Sequence, residues 1–199
     1  MSDVEHVPVD RVLVLRVVVR GVSPLIVRRV AVNVKITLAA LDLVLRAAFG
    51  WPGDTHGRFR VHGCWFGSLS PAGDDRSMDA FGLRVGDRFV YQHDAARSWV
   101  HDIRVDTLRR HDTRETVPRC VGGRRAVPPA WCRDALAFMA WEDTYTPIGV
   151  TDTVDPLADA GVLGVGEHVE MMAWDARDVF DRRAVNRQLA GLARAKVVT

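Results

Sequence analysis

A histidine set among apolar neighbours on a strand is the residue here best placed to do chemistry. Over residues 99–107, alternation puts Trp99, His101, Ile103 and Val105 on one face and Val100, Asp102, Arg104 and Asp106 on the other. An imidazole on the apolar side must find a hydrogen-bond partner or a metal, because a buried unpaired polar group costs about 1–3 kcal/mol. It is then either a satisfied structural histidine or a ligand or proton carrier with a tuned pKa. Asp94 closes the preceding strand, and a short connection over 94–98 would carry it toward Trp99. There it either fixes the tautomer of His101 or completes a metal shell, or it simply starts a turn. In an enzyme of this kind, His101 is the general acid/base and Asp94 orients it. Arg97 or Arg124 then binds substrate charge in a cleft near the Asp94–Ser98 connection, with Trp99 as a further ligand-binding residue.

A metal is the third possibility. His56, Asp94, His101 and Cys120 make a mixed N/O/S set suited to zinc, although nothing in their spacing demands it. Cys120 and Cys132 lie twelve apart, which fits no zinc ribbon or finger, and small buried thiols explain them equally well. Gly122, Gly123, Arg124 and Arg125 offer backbone N–H groups and two guanidiniums to an anion, or a turn with solvated arginines. No Lys-Ser or Lys-Thr comes after them, so this is not a P-loop, and the sequence contains no GxSxG, HExxH or dinucleotide fingerprint. The spacing names no cofactor.

Charge is the second signal. The net charge is only +2, yet residues 11–60 carry nine bases against two acids. Residues 109–133 carry seven arginines against Asp112 and Glu115, and residues 142–181 carry ten acids against Arg177. Either these are solvated mixed faces, or one surface is basic enough for an anionic small molecule or a nucleic acid. Arg109, Arg110, Arg119, Arg124 and Arg125 form the strip that would do it. Three cysteines without close pairing read as reduced thiols in a cytoplasm. The N-terminus lacks a signal-peptide pattern, and no apolar run approaches 18 residues, so no membrane partner is expected.

The elements that must hold these residues are set by period and caps. Residues 11–20 are β-branched and end at Gly21, so they form a strand whose Leu13, Leu15, Val17 and Val19 face the core. Residues 26–32 form a second extended segment. Thr37 caps a helix over 38–49 with Leu38, Leu41, Val44, Leu45 and Ala48 inward, and Gly50 stops it. Residues 58–67 read as two short strands around Gly63, and residues 89–93 pair with residues 99–107. Residues 111–131 look irregular. Residues 132–141 suit a helix, 143–165 a long connection, and 167–174 a helical turn or two. Asp181 caps a last helix that turns Val185, Leu189 and Leu192 to one side. Strands and helices mix without βαβ regularity, which predicts an α+β fold. It consists of a mixed or antiparallel sheet packed by an N-terminal amphipathic helix and C-terminal helices. A length of 199 residues fits one domain over 1–199, with a core of about 10–193 and flexible ends at 1–9 and 194–199.

The order of these residues resembles the plasmid pRiA4b ORF-3-like family, which includes passenger proteins of some bacterial insertion elements labelled TnpR. Pro24, Leu25, Ile26, Val27, Arg28 and Arg29 are similar to its P-P-I-W-R-R. Phe49-Gly50-Trp51, Asp54-Thr55-His56 and Phe59 come next, then Gly63 with Phe66-Gly67. Tyr91, Asp94 and Trp99-Val100-His101 resemble its Y-x-Y-D-F-G-D-D-W-x-H. Pro118, Cys120, Gly122-Gly123, Pro128-Pro129 and Cys132 are similar to its P-x-C-x-x-G-x-x-x-x-P-P-E-D-x-G-G segment. Trp174, Phe180-Asp181 and Asn186 to Leu189 are similar to its closing segment. The resemblance implies a compact α+β domain and no established activity. The chain departs from the pattern in loops: F-G-D-D is Ala95-Ala96-Arg97-Ser98, and P-P-E-D is Pro128-Pro129-Ala130-Trp131. Loops on rigid scaffolds carry function, so this member is expected to have diverged in ligand or activity. Two readings stand: a bacterial binding or accessory domain for an anionic partner such as DNA, or a small-molecule biosynthetic enzyme built on His101 and Asp94.

Overall fold

The computed structural model describes residues 10–51, 57–67, 75–93, 99–129, 131–144 and 179–195. The expected connection beyond residue 144 and the helical turn at 167–174 lie outside them. Among the described residues, seven strands form a single antiparallel sheet: β1 (Arg11–Val19), β2 (Val27–Asn33), β3 (Gly57–Val61), β4 (Cys64–Phe66), β5 (Arg88–His93), β6 (Trp99–Arg110) and β7 (Arg119–Arg124). Their spatial order is β4-β3-β5-β6-β1-β2-β7. Among the described residues, three α-helices accompany them: α1 (Leu38–Phe49), α2 (Ala135–Thr144) and α3 (Arg182–Arg194). This is the α+β architecture that the strand and helix patterns predict.

Local chemistry explains the boundaries. The Thr37 hydroxyl accepts the Ala40 N–H at 3.1 Å, and Gly50 closes α1 in the left-handed region at φ 64°. Asp181 caps α3 through the N–H groups of Arg183 and Ala184. The second helix begins three residues later than its apolar pattern suggests, because the Asp134 carboxylate accepts the Ala137 N–H at 2.8 Å and sets the start there. The segment expected to be irregular contains strand β7. Its two glycines hide the alternation, and it is an edge strand paired only with β2. Gly123 has a steric reason: a Cβ there would lie 2.7 Å from the Phe180 ring.

The strands sort their residues by parity. Leu13, Leu15, Val17 and Val19 are essentially inaccessible, and they share one core with Val30, Val32, Phe59, Tyr91 and Ile103 of the neighbouring strands. Leu38, Leu41 and Leu45 of α1, Phe138 of α2 and Leu189 of α3 join the same cluster. The helices therefore lie on one face of the sheet. On the opposite face only Val12, Val14 and Ala31 are buried as a cluster, packed by Val117 and Val121. Among the described residues, charged and polar side chains dominate the rest of that face, with Val18, Val90 and Val100 between them.

Candidate functional site: a buried histidine and an arginine-covered sheet face

His101 lies on the core face of β6 and is fully buried. The Trp51 indole N–H donates to His101 Nε2 at 3.3 Å, which leaves the imidazole proton on Nδ1. That Nδ1 has no hydrogen-bond partner among the described residues. Burial, helped by neighbouring His93, holds the imidazole down at about 3, against the weaker pull of the Tyr91 and Trp99 carbonyls. Trp51 stacks on Trp99 at 5.3 Å and on His93 at 5.5 Å, and Phe49 meets the His101 ring edge-on at 4.8 Å. Trp99 is thus inside the molecule, as a wall of the histidine's box.

A polar knot adjoins this box. The Tyr91 hydroxyl donates to Asp42 Oδ1 at 2.7 Å, the Gly57 N–H donates to the same oxygen at 3.1 Å, and Arg46 Nε sits 3.0 Å from Asp42 Oδ2. Tyr91 also reaches His93 Nδ1 at 3.3 Å. Burial and the Asp42 carboxylate push the Tyr91 phenol well above its ordinary range. Gly57 is required for this approach, since a Cβ would lie 2.2 Å from the Tyr91 ring. Sequence reasoning passed over Asp42, Arg46, Tyr91 and His93. The signal was there: Asp42 falls four residues after Leu38 and three before Leu45, inside the apolar stripe of α1. Tyr91 and His93 share parity with buried Phe89.

The remaining candidates divide. His56, Asp94 and Arg97 lie outside the described residues. Cys120 is buried on β7, its backbone clamped by Asn186 at 2.7 and 3.0 Å, and burial raises its thiol. Strands β1 and β2 lie between β6 and β7, roughly 14 Å at the usual strand spacing, so Cys120 and His101 are not brought together. Among the described residues no group of three or more His, Cys, Asp or Glu side chains could hold a metal. Arg125 is engaged by Glu142 and by the Pro24 carbonyl at 2.6 Å. Arg109 pairs with Glu115, and Arg119 stands 3.8 Å from the same carboxylate. Arg124 is exposed, and its carbonyl accepts from the buried Arg28, whose guanidinium also serves the carbonyls of Val27, Ala48 and Arg125. Without a carboxylate partner among the described residues, that buried cation is pulled down to about 10 by desolvation.

The polar face of the sheet was not foreseen as a unit. Pairing register places Arg88 of β5 opposite Arg104 of β6, Arg104 opposite Arg16 of β1, and Arg16 opposite Arg29 of β2. Four arginines thus cross four adjacent strands in one row. Like charges directly opposite destabilise a sheet, by about 0.2–1 kcal/mol per pair. Asp106 offsets part of this by bridging Arg29 at 3.1 Å and Arg104 at 2.7 Å. Neither Arg16 nor Arg88 has a carboxylate within ion-pair distance among the described residues, although Arg88 is near enough to Asp102 to help hold its carboxyl down. Asp102 on the same face is taken by Arg20, whose hydrogen bonds hold that carboxyl below its usual range. Arg60 and His62 join Arg16 and Arg88 around a shallow depression floored by Val18 and Val90. At the β4 end, the Arg58 guanidinium stacks 4.2 Å over the half-exposed ring of Trp65. A second basic depression lies at the β7 edge, where Arg119 meets Arg182, Arg183, Arg187 and Arg194 of α3.

Guanidiniums of this kind are able to pair with phosphate or carboxylate groups. No described helix is long and apolar enough to cross a membrane. Residues 11–189 match the family described as "Plasmid pRiA4b ORF-3-like protein". An uncharacterized protein, y4hQ, of Sinorhizobium fredii is 27% identical over 186 residues, spanning 89% of this chain and 88% of its own. A protein of unknown function from Methanosarcina mazei, MM3350, shares the fold in its crystal structure. Its TM-score is 0.69 at 17% identity, over 88% of this chain and 97% of that one.

Proposed function

Since the chain belongs to the plasmid pRiA4b ORF-3-like family, and the two similar proteins above are described as uncharacterized and of unknown function, we propose from its geometry that it is a binding domain for the phosphate backbone of a nucleic acid. The observation that carries this is the row Arg88, Arg104, Arg16 and Arg29. A row of like charges costs the fold stability, and a polyanion laid across it reverses the sign of that cost. The excess of bases in residues 11–60 supplies much of this surface, through Arg16, Arg20, Arg29, Arg58 and Arg60. Three unpaired thiols suit the reducing cytoplasm in which such a partner is met.

An acid–base role for His101 has less support. Its ring is fully buried and neutral, and its one engaged nitrogen is held by Trp51. A general acid must reach a substrate proton directly or through one water.

The test is salt dependence. A fluorescent oligonucleotide titrated at 50 and 200 mM salt should lose affinity by roughly 10²-fold if about five phosphates are contacted. The pair Arg16→Glu with Arg88→Glu should lower affinity at least tenfold at 50 mM salt and flatten the slope. An affinity indifferent to salt, or to that pair, removes the reading.

A further inference from the structure

The partner's form can be taken further on the same reading of the arginine face. We infer that the face takes a single strand, not a duplex, with one unpaired base seated on Trp65. Three features of the structure lead there. The binding row runs across strands of a sheet, and no described helix or two-stranded ribbon projects from that face to enter a groove, as duplex readout requires. From Trp65 on β4 to Arg29 on β2 the face crosses five strand spacings, roughly 24 Å. That width is room for several nucleotides of an extended single strand, within the ~4–16 that single-strand sites on β-sheet domains span.

The third feature is Trp65 itself. It is 45% exposed, one of few large apolar side chains so exposed among the described residues. It sits opposite Arg60 in the β3–β4 register, hence on the arginine face and at its end. The Arg58 guanidinium stacks 4.2 Å from the ring centroid, and Arg58 Nε donates to Gln92 Oε1 at 2.9 Å, so the indole is steadied through Arg58. An indole backed by a guanidinium and open to solvent is a stacking surface for a base. Its energy does not depend on sequence, because every base has a π-face. Phosphates then run along the depression of Arg60, Arg88 and Arg16 inward from that anchor.

The experiment compares three polyanions at one salt concentration: a 12-nucleotide oligo-dT, a 12-base-pair duplex and inorganic polyphosphate. The wild-type chain should bind oligo-dT more tightly than the duplex. Trp65→Thr, which keeps a strand-forming residue, should lower oligo-dT affinity roughly five- to hundredfold while leaving polyphosphate affinity and the salt slope unchanged. Trp65→Phe should restore most of the loss. A photoreactive thymidine analogue in the oligo should crosslink to the peptide containing Trp65 in the unmodified protein, so the test survives even if a variant misfolds. Duplex binding equal to or tighter than oligo-dT, a Trp65→Thr effect shared with polyphosphate, or a crosslink elsewhere would each overturn the inference. Those outcomes leave the phosphate reading standing; that reading falls if oligonucleotide affinity is indifferent to salt or to the Arg16→Glu/Arg88→Glu pair.

Discussion

The two faces of one sheet treat charge in opposite ways. On the core face, Asp42, Arg46, Tyr91, His93 and His101 are buried, and nearly every polar atom there meets another: carboxylate with phenol, amide and guanidinium, indole with imidazole. On the other face, residues of opposite parity on the same sheet set Arg16, Arg29, Arg58, Arg60, Arg88 and Arg104 against Asp102 and Asp106. The first arrangement is nearly closed, its groups meeting one another except at His101 Nδ1. The second leaves Arg16 and Arg88 without an ion pair among the described residues, and on the reading proposed above an anionic partner would complete it. Adjacent residues on one strand, such as His101 and Asp102, therefore belong to different surroundings, one inside the core and the other on the charged face.

The comparison breaks first if the core face proves dispensable. Asp42→Ala removes the acceptor of the Tyr91 hydroxyl and the Gly57 N–H, along with the ion-pair partner of buried Arg46. Breaking a buried pair from one side should cost about 3–5 kcal/mol. Urea denaturation should register this as a lowered midpoint, while the protein that remains folded should bind oligonucleotide with unchanged affinity. A loss of affinity equal to that of the arginine variants would mean that the two faces are not separate.

His101 gives a pH test of the same division. Its folded value of about 3 lies below the ordinary 6.5, so the unfolded chain takes up a proton first as the pH falls. Stability is then complete above about pH 6.5 and drains away toward pH 3, by at most about 1.4 kcal/mol per pH unit from this one group. His101→Gln should flatten that slope between pH 6.5 and 4, before the depressed carboxyls of Asp102 and Asp181 begin to titrate. Denaturation midpoints at half-unit steps of pH would show it. A wild-type curve as flat as the variant's would mean that the imidazole opens to solvent in the native state.

Legibility in the sequence tracks the range of the interactions. Alternation over β1 and β6, the Thr37 and Asp181 caps and the Gly50 stop are local, and each reads correctly from neighbouring residues. So does the apolar siting of His101. Its meaning was not local: Trp51, fifty residues away, decides which nitrogen carries the proton. The arginine row is harder still. Arg16, Arg29, Arg88 and Arg104 are spread over 88 residues, and only the register of three strand pairs lines them up. The strip chosen from local density, Arg109 to Arg125, turned out to include arginines held by Glu115 and Glu142. Clustering along the chain is a weak guide to a basic surface when pairing can gather charges from four strands.

The smallest effect discriminates best, because its sign is unusual. Arg16 sits in the middle of the row with guanidiniums opposite on both sides and no carboxylate of its own among the described residues. Arg16→Thr puts a β-branched residue into a central strand and removes two like-charge contacts. It should therefore stabilise the fold, by some tenths of a kcal/mol and no more than about 1. The gain should be greatest at low salt and fade as the Debye length shrinks to about 3 Å at 1 M. The same substitution should weaken oligonucleotide binding and reduce the salt slope by a little under one. Stability and affinity would move in opposite directions from one change, which is the expected behaviour of a residue kept for a partner. If Arg16→Thr instead destabilised the protein at every salt concentration, the row would be part of the scaffold, and the two faces would differ in solvent exposure alone.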